Sequence, residues 1–184
     1  KKYKINRSIK IKNLFTHTLT HVNMLFTEYF NRFSETAVAI PVTSTKGYIC
    51  LGLAGESSEL LEKVLFDESI KDTLLEIGDT CWYLCHLSKV LAVEMEQAAA
   101  PKWDKFKTAA TISIKCGLIC DAVKKSLRDG RKLNLGPHMN AVLGLCAHLA
   151  TLLGSSIQEV FDLNFAKLKS RKKRGAIKGS GDHR

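Results

Sequence analysis

In Leu74-Leu75-Glu76-Ile77-Gly78-Asp79-Thr80-Cys81-Trp82-Tyr83-Leu84, apolar side chains return at intervals of three and four, at Leu74, Ile77, Cys81 and Leu84. That is the period of one helix face, not the strict alternation of a half-buried strand. Two acids, Glu76 and Asp79, stand inside this apolar run. The same spacing covers Ile70 to Gln97 and recurs at about His21 to Ser34, Tyr48 to Phe66, Trp103 to Arg128, Pro137 to Gly154 and Ser156 to Ser170. The breaks between them are Ala37 to Gly47 with Pro41, then Asp67-Glu68-Ser69, then Ala98 to Pro101, then Asp129-Gly130, all turn-type compositions. Pro137 suits a first helical turn, and Ser156-Ile157-Gln158-Glu159 reads as a capping box. The expected class is all-α, a bundle of about six helices built from two helical hairpins.

Sliding the chain by 62 aligns Gly55 with Gly117, Lys63 with Lys125, Asp67 with Asp129 and His86 with His148, and sets Glu59 on Asp121, with no gap. An internal duplication and a chance similarity between amphipathic hairpins both account for so few matches.

At 184 residues the chain is long enough to bury a core of its own. No stretch approaches the roughly 20 apolar residues that span a bilayer. Leu14 to Leu19 is too short and too polar for a signal-peptide core. The expectation is a cytoplasmic protein, in a host's cytoplasm if the source is viral, with no membrane partner. Six cysteines, Cys50, Cys81, Cys85, Cys116, Cys120 and Cys146, lie in apolar segments and read as reduced core residues, with a zinc site as the less favoured alternative.

The net charge of +10 is unevenly placed. Six basic residues fall between Lys1 and Lys12, and eight between Lys167 and Arg184 against the single acid Asp182. Taking these from the 28 basic and 18 acidic residues leaves 14 against 17 in between, so the body is slightly acidic. The organisation expected is a basic extension at 1–23, a helical domain at 24–170 and a basic tail at 171–184. Basic tails bind polyanions weakly, and a triphosphate is as good a polyanion as a nucleic acid. A non-catalytic helical module that binds nucleic acid through its tails is the alternative of another class. Four acids grouped in the body disfavour it.

Those four are Glu56 and Glu59 in the second segment and Glu76 and Asp79 in the third, each pair spaced i, i+3 and so projecting from one helix face. If the two segments pair antiparallel, the 17-residue step from Glu59 to Glu76 lets all four carboxylates converge. Converging carboxylates raise each other's pKa and call for a cation, and oxygen-only ligands select Mg²⁺ or Mn²⁺. The competing account is a pair of solvated helix faces, and each pair alone is a weak signal. His86 lies on the face of Asp79 and reads as a core or supporting histidine, with ligation the alternative.

Three strings together resemble the all-α nucleotide pyrophosphohydrolases that include MazG-like proteins and dimeric dUTPases. They are Gly52-Leu53-Ala54-Gly55-Glu56-Ser57-Ser58-Glu59-Leu60, Glu76 through Leu84, and Asn164-Phe165-Ala166-Lys167-Leu168 with Arg171. The closing stretch Arg174 to Arg184 resembles the end of phage-type and bacterial members, and the similarity begins near Met24. The resemblance implies Mg²⁺-dependent cleavage of a nucleoside triphosphate between its α and β phosphates, releasing a monophosphate and pyrophosphate, in nucleotide-pool control or house-cleaning. It implies that Glu56, Glu59, Glu76 and Asp79 hold the metal, with Glu59 the candidate general base. Asn164, Lys167 and Arg171 would bind phosphate; the competing account for them is an ordinary basic helix end. Lys124, Lys125 and Arg128 are a second candidate clamp or a solvated face. Tyr83 and Trp82 are candidate base-stacking rings or core. A homo-oligomer, dimer or tetramer, is expected. The chain departs from the family in one respect: the Lys-Lys-x-x-Arg-Asp-Gly string falls in the second hairpin, and the first has the short Phe66-Asp67-Glu68-Ser69 link. That leaves the substrate open, and phosphoribosyl-ATP pyrophosphohydrolase is the enzymatic alternative.

Overall fold

The computed structural model describes residues 28–32, 35–37 and 44–176. The expected extension at 1–23, the start near Met24 and the tail beyond residue 176 lie outside the described residues. Five long helices follow one another: α1 (Thr45–Leu65), α2 (Ile70–Leu91), α3 (Lys105–Asp129), α4 (Gly136–Leu152) and α5 (Ile157–Lys173). A helical stretch at 28–32 precedes them, and no strand occurs among the described residues. The all-α bundle expected from the apolar spacing is the observed one.

The ends are set by local chemistry. Ser44 caps α1 through its hydroxyl, which accepts from Gly47 N–H at 3.1 Å. The helix therefore starts three residues before Tyr48, where apolar spacing alone placed it. Ser69 and Asp104 cap α2 and α3 in the same way. At α5 the capping box is complete: Ser156 accepts from Glu159 N–H, and the Glu159 carboxylate accepts from Ser156 N–H at 3.0 Å. This helix runs on to Lys173, and Arg171 is buried within it, so the helical domain extends past the expected boundary at residue 170.

One expectation fails. The apolar spacing predicts a helix to Gln97, but α2 ends at Leu91, and Ala92 adopts φ 51°. Ser88 supplies both halves of the stop. Its carbonyl accepts from Val93 N–H at 3.0 Å, and its hydroxyl donates to the Val93 carbonyl at 2.7 Å. Beyond it the chain runs along α4, where Asn140 accepts Glu96 N–H on its side chain and Ala98 N–H on its carbonyl. These partners lie some forty residues away in sequence, and local periodicity cannot report them.

Helix α1 packs on α2 along one flank and on α3 along the other, while α4 packs on α3, α2 and α5, and α5 packs also on α2. The core is filled by Leu53, Leu60, Ile77, Leu84, Leu87, Ile112, Ile119, Met139, Leu143, Leu149 and Phe161, all almost fully buried. Cys50, Cys81, Cys85, Cys116 and Cys146 are buried with them and Cys120 partly so, all as free thiols. A shift of 62 carries α1 onto residues 107–127, inside α3, and α2 onto 132–153, which spans α4. No single helix among the described residues is long and apolar enough to cross a membrane.

Candidate functional site

Glu76 and Asp79 face inward from α2 and are buried; Glu56 reaches them from α1 and is half-buried. One oxygen from each of the three lies within 4.8 Å of the others. Oxygens bound to a single cation at about 2.0–2.6 Å stand roughly 3–5 Å apart, so the spacing and the all-oxygen donor set fit Mg²⁺ or Mn²⁺. Three of the four expected acids thus converge. Glu59 does not join them: its residue is exposed, on the solvent side of α1. Its Cβ remains about 5–6 Å from that of Glu56, close enough to serve a water at the edge of the cluster.

Helix α5 supplies the opposite charge. Lys167 Nζ makes a salt bridge with Asp79 Oδ2, both side chains largely buried. Asn164 Nδ2 donates to Asp79 Oδ1 at 2.5 Å. Arg171, two turns after Asn164 on the same face, is buried as well. This approach of α5 is possible because residue 78 is glycine: a Cβ there would stand 2.6 Å from Asn164 Cβ.

The aromatic wall is Tyr83 with Trp82. The Tyr83 ring lies against Gly52 so closely that a Cβ on residue 52 would stand 2.1 Å from Cε1. Burial, followed by the neighbouring Tyr48 and Glu56, holds the Tyr83 hydroxyl well above its ordinary pKa, so it is a neutral donor beside the acids. Trp82 donates to Thr36 Oγ1 at 3.2 Å and meets Tyr83 edge-on at 5.0 Å. His86 packs edge-on against Trp82 at 5.4 Å and stands outside the trio. Burial, then Lys89, lowers its pKa and favours the neutral ring.

The second basic cluster lies elsewhere. Lys124 and Lys125 pair with Asp121 at 2.5 and 2.6 Å, pulling its carboxyl down to about 2, and Arg128 pairs with Asp129 at 2.6 Å. With Gly47, Cys50, Leu51 and Ala54, Lys124 and Arg128 line a groove of about 730 Å³. Ala54 and Glu56 are two residues apart, some 200° around the helix. The groove therefore opens on the α3 flank of α1 and the acids on the α2 flank. The spacing of Lys124, Lys125 and Arg128 suggested a phosphate clamp; the structure does not bring them to the carboxylates.

Sequence reasoning missed Tyr29. Its hydroxyl donates to Asn164 Oδ1 at 2.6 Å and its ring stacks on Phe161 at 4.2 Å. Compared with models of protein families, with curated proteins and with solved structures, the chain matches none of them.

Proposed function

We propose that the chain is a Mg²⁺-dependent, Mn²⁺-tolerant pyrophosphohydrolase of nucleoside triphosphates, of the MazG-like kind, acting in control or cleansing of the nucleotide pool. One observation carries the reading: carboxylate oxygens of Glu56, Glu76 and Asp79 gather within 4.8 Å on two packed helices, with a lysine and an asparagine from a third helix turned onto them. A bound Mg²⁺ would bridge phosphates and make a bound water more acidic. The chain's own groups do the rest. Glu56, Glu76 and Asp79 hold the cation and fix its position. Glu59, exposed one turn from Glu56, takes the proton of the attacking water. Lys167 and Arg171 meet the charge that accumulates on the leaving pyrophosphate, and Tyr83 and Trp82 offer a ring edge to the base. Exposed Leu51, Ile114, Leu118 and Leu127 on α1 and α3 support self-association as a dimer or tetramer. We place it in the cytoplasm.

The test is a Mg²⁺-dependent assay of standard and damaged triphosphates that scores pyrophosphate against phosphate. Pyrophosphate release is expected, with Glu56→Gln, Glu76→Gln and Asp79→Asn each lowering turnover by about 10²-fold or more while circular dichroism stays native. Full activity in any two of the three ends the assignment.

A further inference from the structure

We propose that Tyr29 is a positioning residue for Asp79, acting through Asn164; the proposal rests on the metal-site reading above. Three buried polar side chains form a line: Tyr29 Oη donates to Asn164 Oδ1 at 2.6 Å, and Asn164 Nδ2 donates to Asp79 Oδ1 at 2.5 Å. Tyr29 is 5% exposed, Asn164 0% and Asp79 9%, so little water reaches the line to substitute for a lost partner.

The direction of the line follows from donor and acceptor inventory. An ionised carboxylate only accepts, so the amide must present its NH₂ to Asp79 and its oxygen to Tyr29, whose hydroxyl must then donate. The other polar atom near that hydroxyl is the Gly78 carbonyl at 3.4 Å, also an acceptor. The single phenolic proton belongs to the shorter contact. Without it, the asparagine keeps an oxygen buried with no donor, and the amide is held in its orientation from the Asp79 side alone.

The relay is built into α5. Phe161 and Asn164 are three residues apart on one helix face. The first stacks on the Tyr29 ring, 13° from parallel, and the second accepts the hydrogen bond of its hydroxyl. Gly78 then leaves Asn164 the room to reach past α2. Asp79 is thereby pinned at one oxygen before any cation arrives, and a carboxylate already oriented loses less freedom on ligating. Partners that orient ligands in this way typically alter metal affinity 10–100-fold when removed.

Mn²⁺ alone, titrated into the full chain by electron paramagnetic resonance, tests this. Tyr29→Phe keeps the stacked ring and should raise the Mn²⁺ dissociation constant roughly tenfold, with the circular dichroism spectrum unchanged. Asn164→Ala should weaken binding as much, and Tyr29→Phe added to it should weaken it no further, because the hydroxyl acts only through the amide. In metal-free protein, Tyr29→Phe should also shift the Asn164 side-chain amide resonances. Wild-type affinity in Tyr29→Phe, or losses that add in the double variant, overturns the relay and leaves the metal site standing. Wild-type binding no tighter than that of Glu76→Gln overturns the metal reading and the relay with it.

Discussion

Asp79 is held at both carboxylate oxygens, one by Asn164 and the other by Lys167. The two partners differ in mobility. Asn164 is fully buried between Gly78 and Tyr29, whereas Lys167 hangs on four rotatable bonds and can swing to another anion. The lysine ammonium is thus a resident cation on Asp79, one of the acids proposed to hold a divalent ion. Lys167→Met removes it and leaves Asp79 without this charged partner in a poorly solvated place. Metal-free stability should fall by about 3 kcal/mol, the low end for breaking a buried pair, and added Mg²⁺ should raise Tm by more than in the wild type. Affinity for Mn²⁺ alone should rise, opposite to Tyr29→Phe, while nucleotide turnover drops. A Mg²⁺-induced rise in Tm equal to that of the wild type would show that the lysine and the metal do not compete.

Among the elements, α2 sets propensity against packing at Gly78. Glycine inside a helix costs about 1 kcal/mol relative to alanine, yet a Cβ at this position would meet Asn164 Cβ at 2.6 Å and its amide at 2.9 Å. Overpacking of that kind costs about 1–3 kcal/mol, so Gly78→Ala should destabilise in thermal melts and weaken Mn²⁺ binding by displacing Asn164. Gly55→Ala on α1 is the control. Nothing lies within 4 Å of its added Cβ, and it should gain up to about 1 kcal/mol. Equal gains at both glycines would show that α5 is not held against residue 78. The helices themselves were legible from apolar period and caps, and so was the face that Asn164 and Lys167 share, because i, i+3 spacing fixes a shared face wherever the helix goes; that this face meets Asp79 was not. What stayed hidden has no local signature. Tyr29 meets Asn164 across 135 residues, the path of the chain beyond α2 is held by Asn140 on α4, and nothing in the spacing of Lys124 and Arg128 tells which flank of α1 they border.

In the whole molecule, the shift of 62 sets α1 on α3 and α2 on α4, so the two hairpins invite comparison as metal sites. They are unequal. Glu56, Glu76 and Asp79 fall on Leu118, His138 and Ala141, and the one acid retained, Asp121, falls on Glu59. Asp121 lies at the surface with two lysines on its oxygens, which keep it ionised down to about pH 2 and leave it already neutralised. A strongly hydrated ion such as Mg²⁺ needs several hard oxygens to offset its dehydration, and one lysine-saturated carboxylate does not supply them. The second hairpin therefore packs against the first without repeating its trio of acids. Calorimetric titration with a non-hydrolysable triphosphate and Mg²⁺ should give one nucleotide per chain, and Asp121→Asn should leave Mn²⁺ affinity near the wild-type value while Glu56→Gln lowers it steeply. Two equal nucleotide sites per chain, or an Asp121→Asn loss as severe as that of Glu56→Gln, would mean that the second hairpin still binds metal.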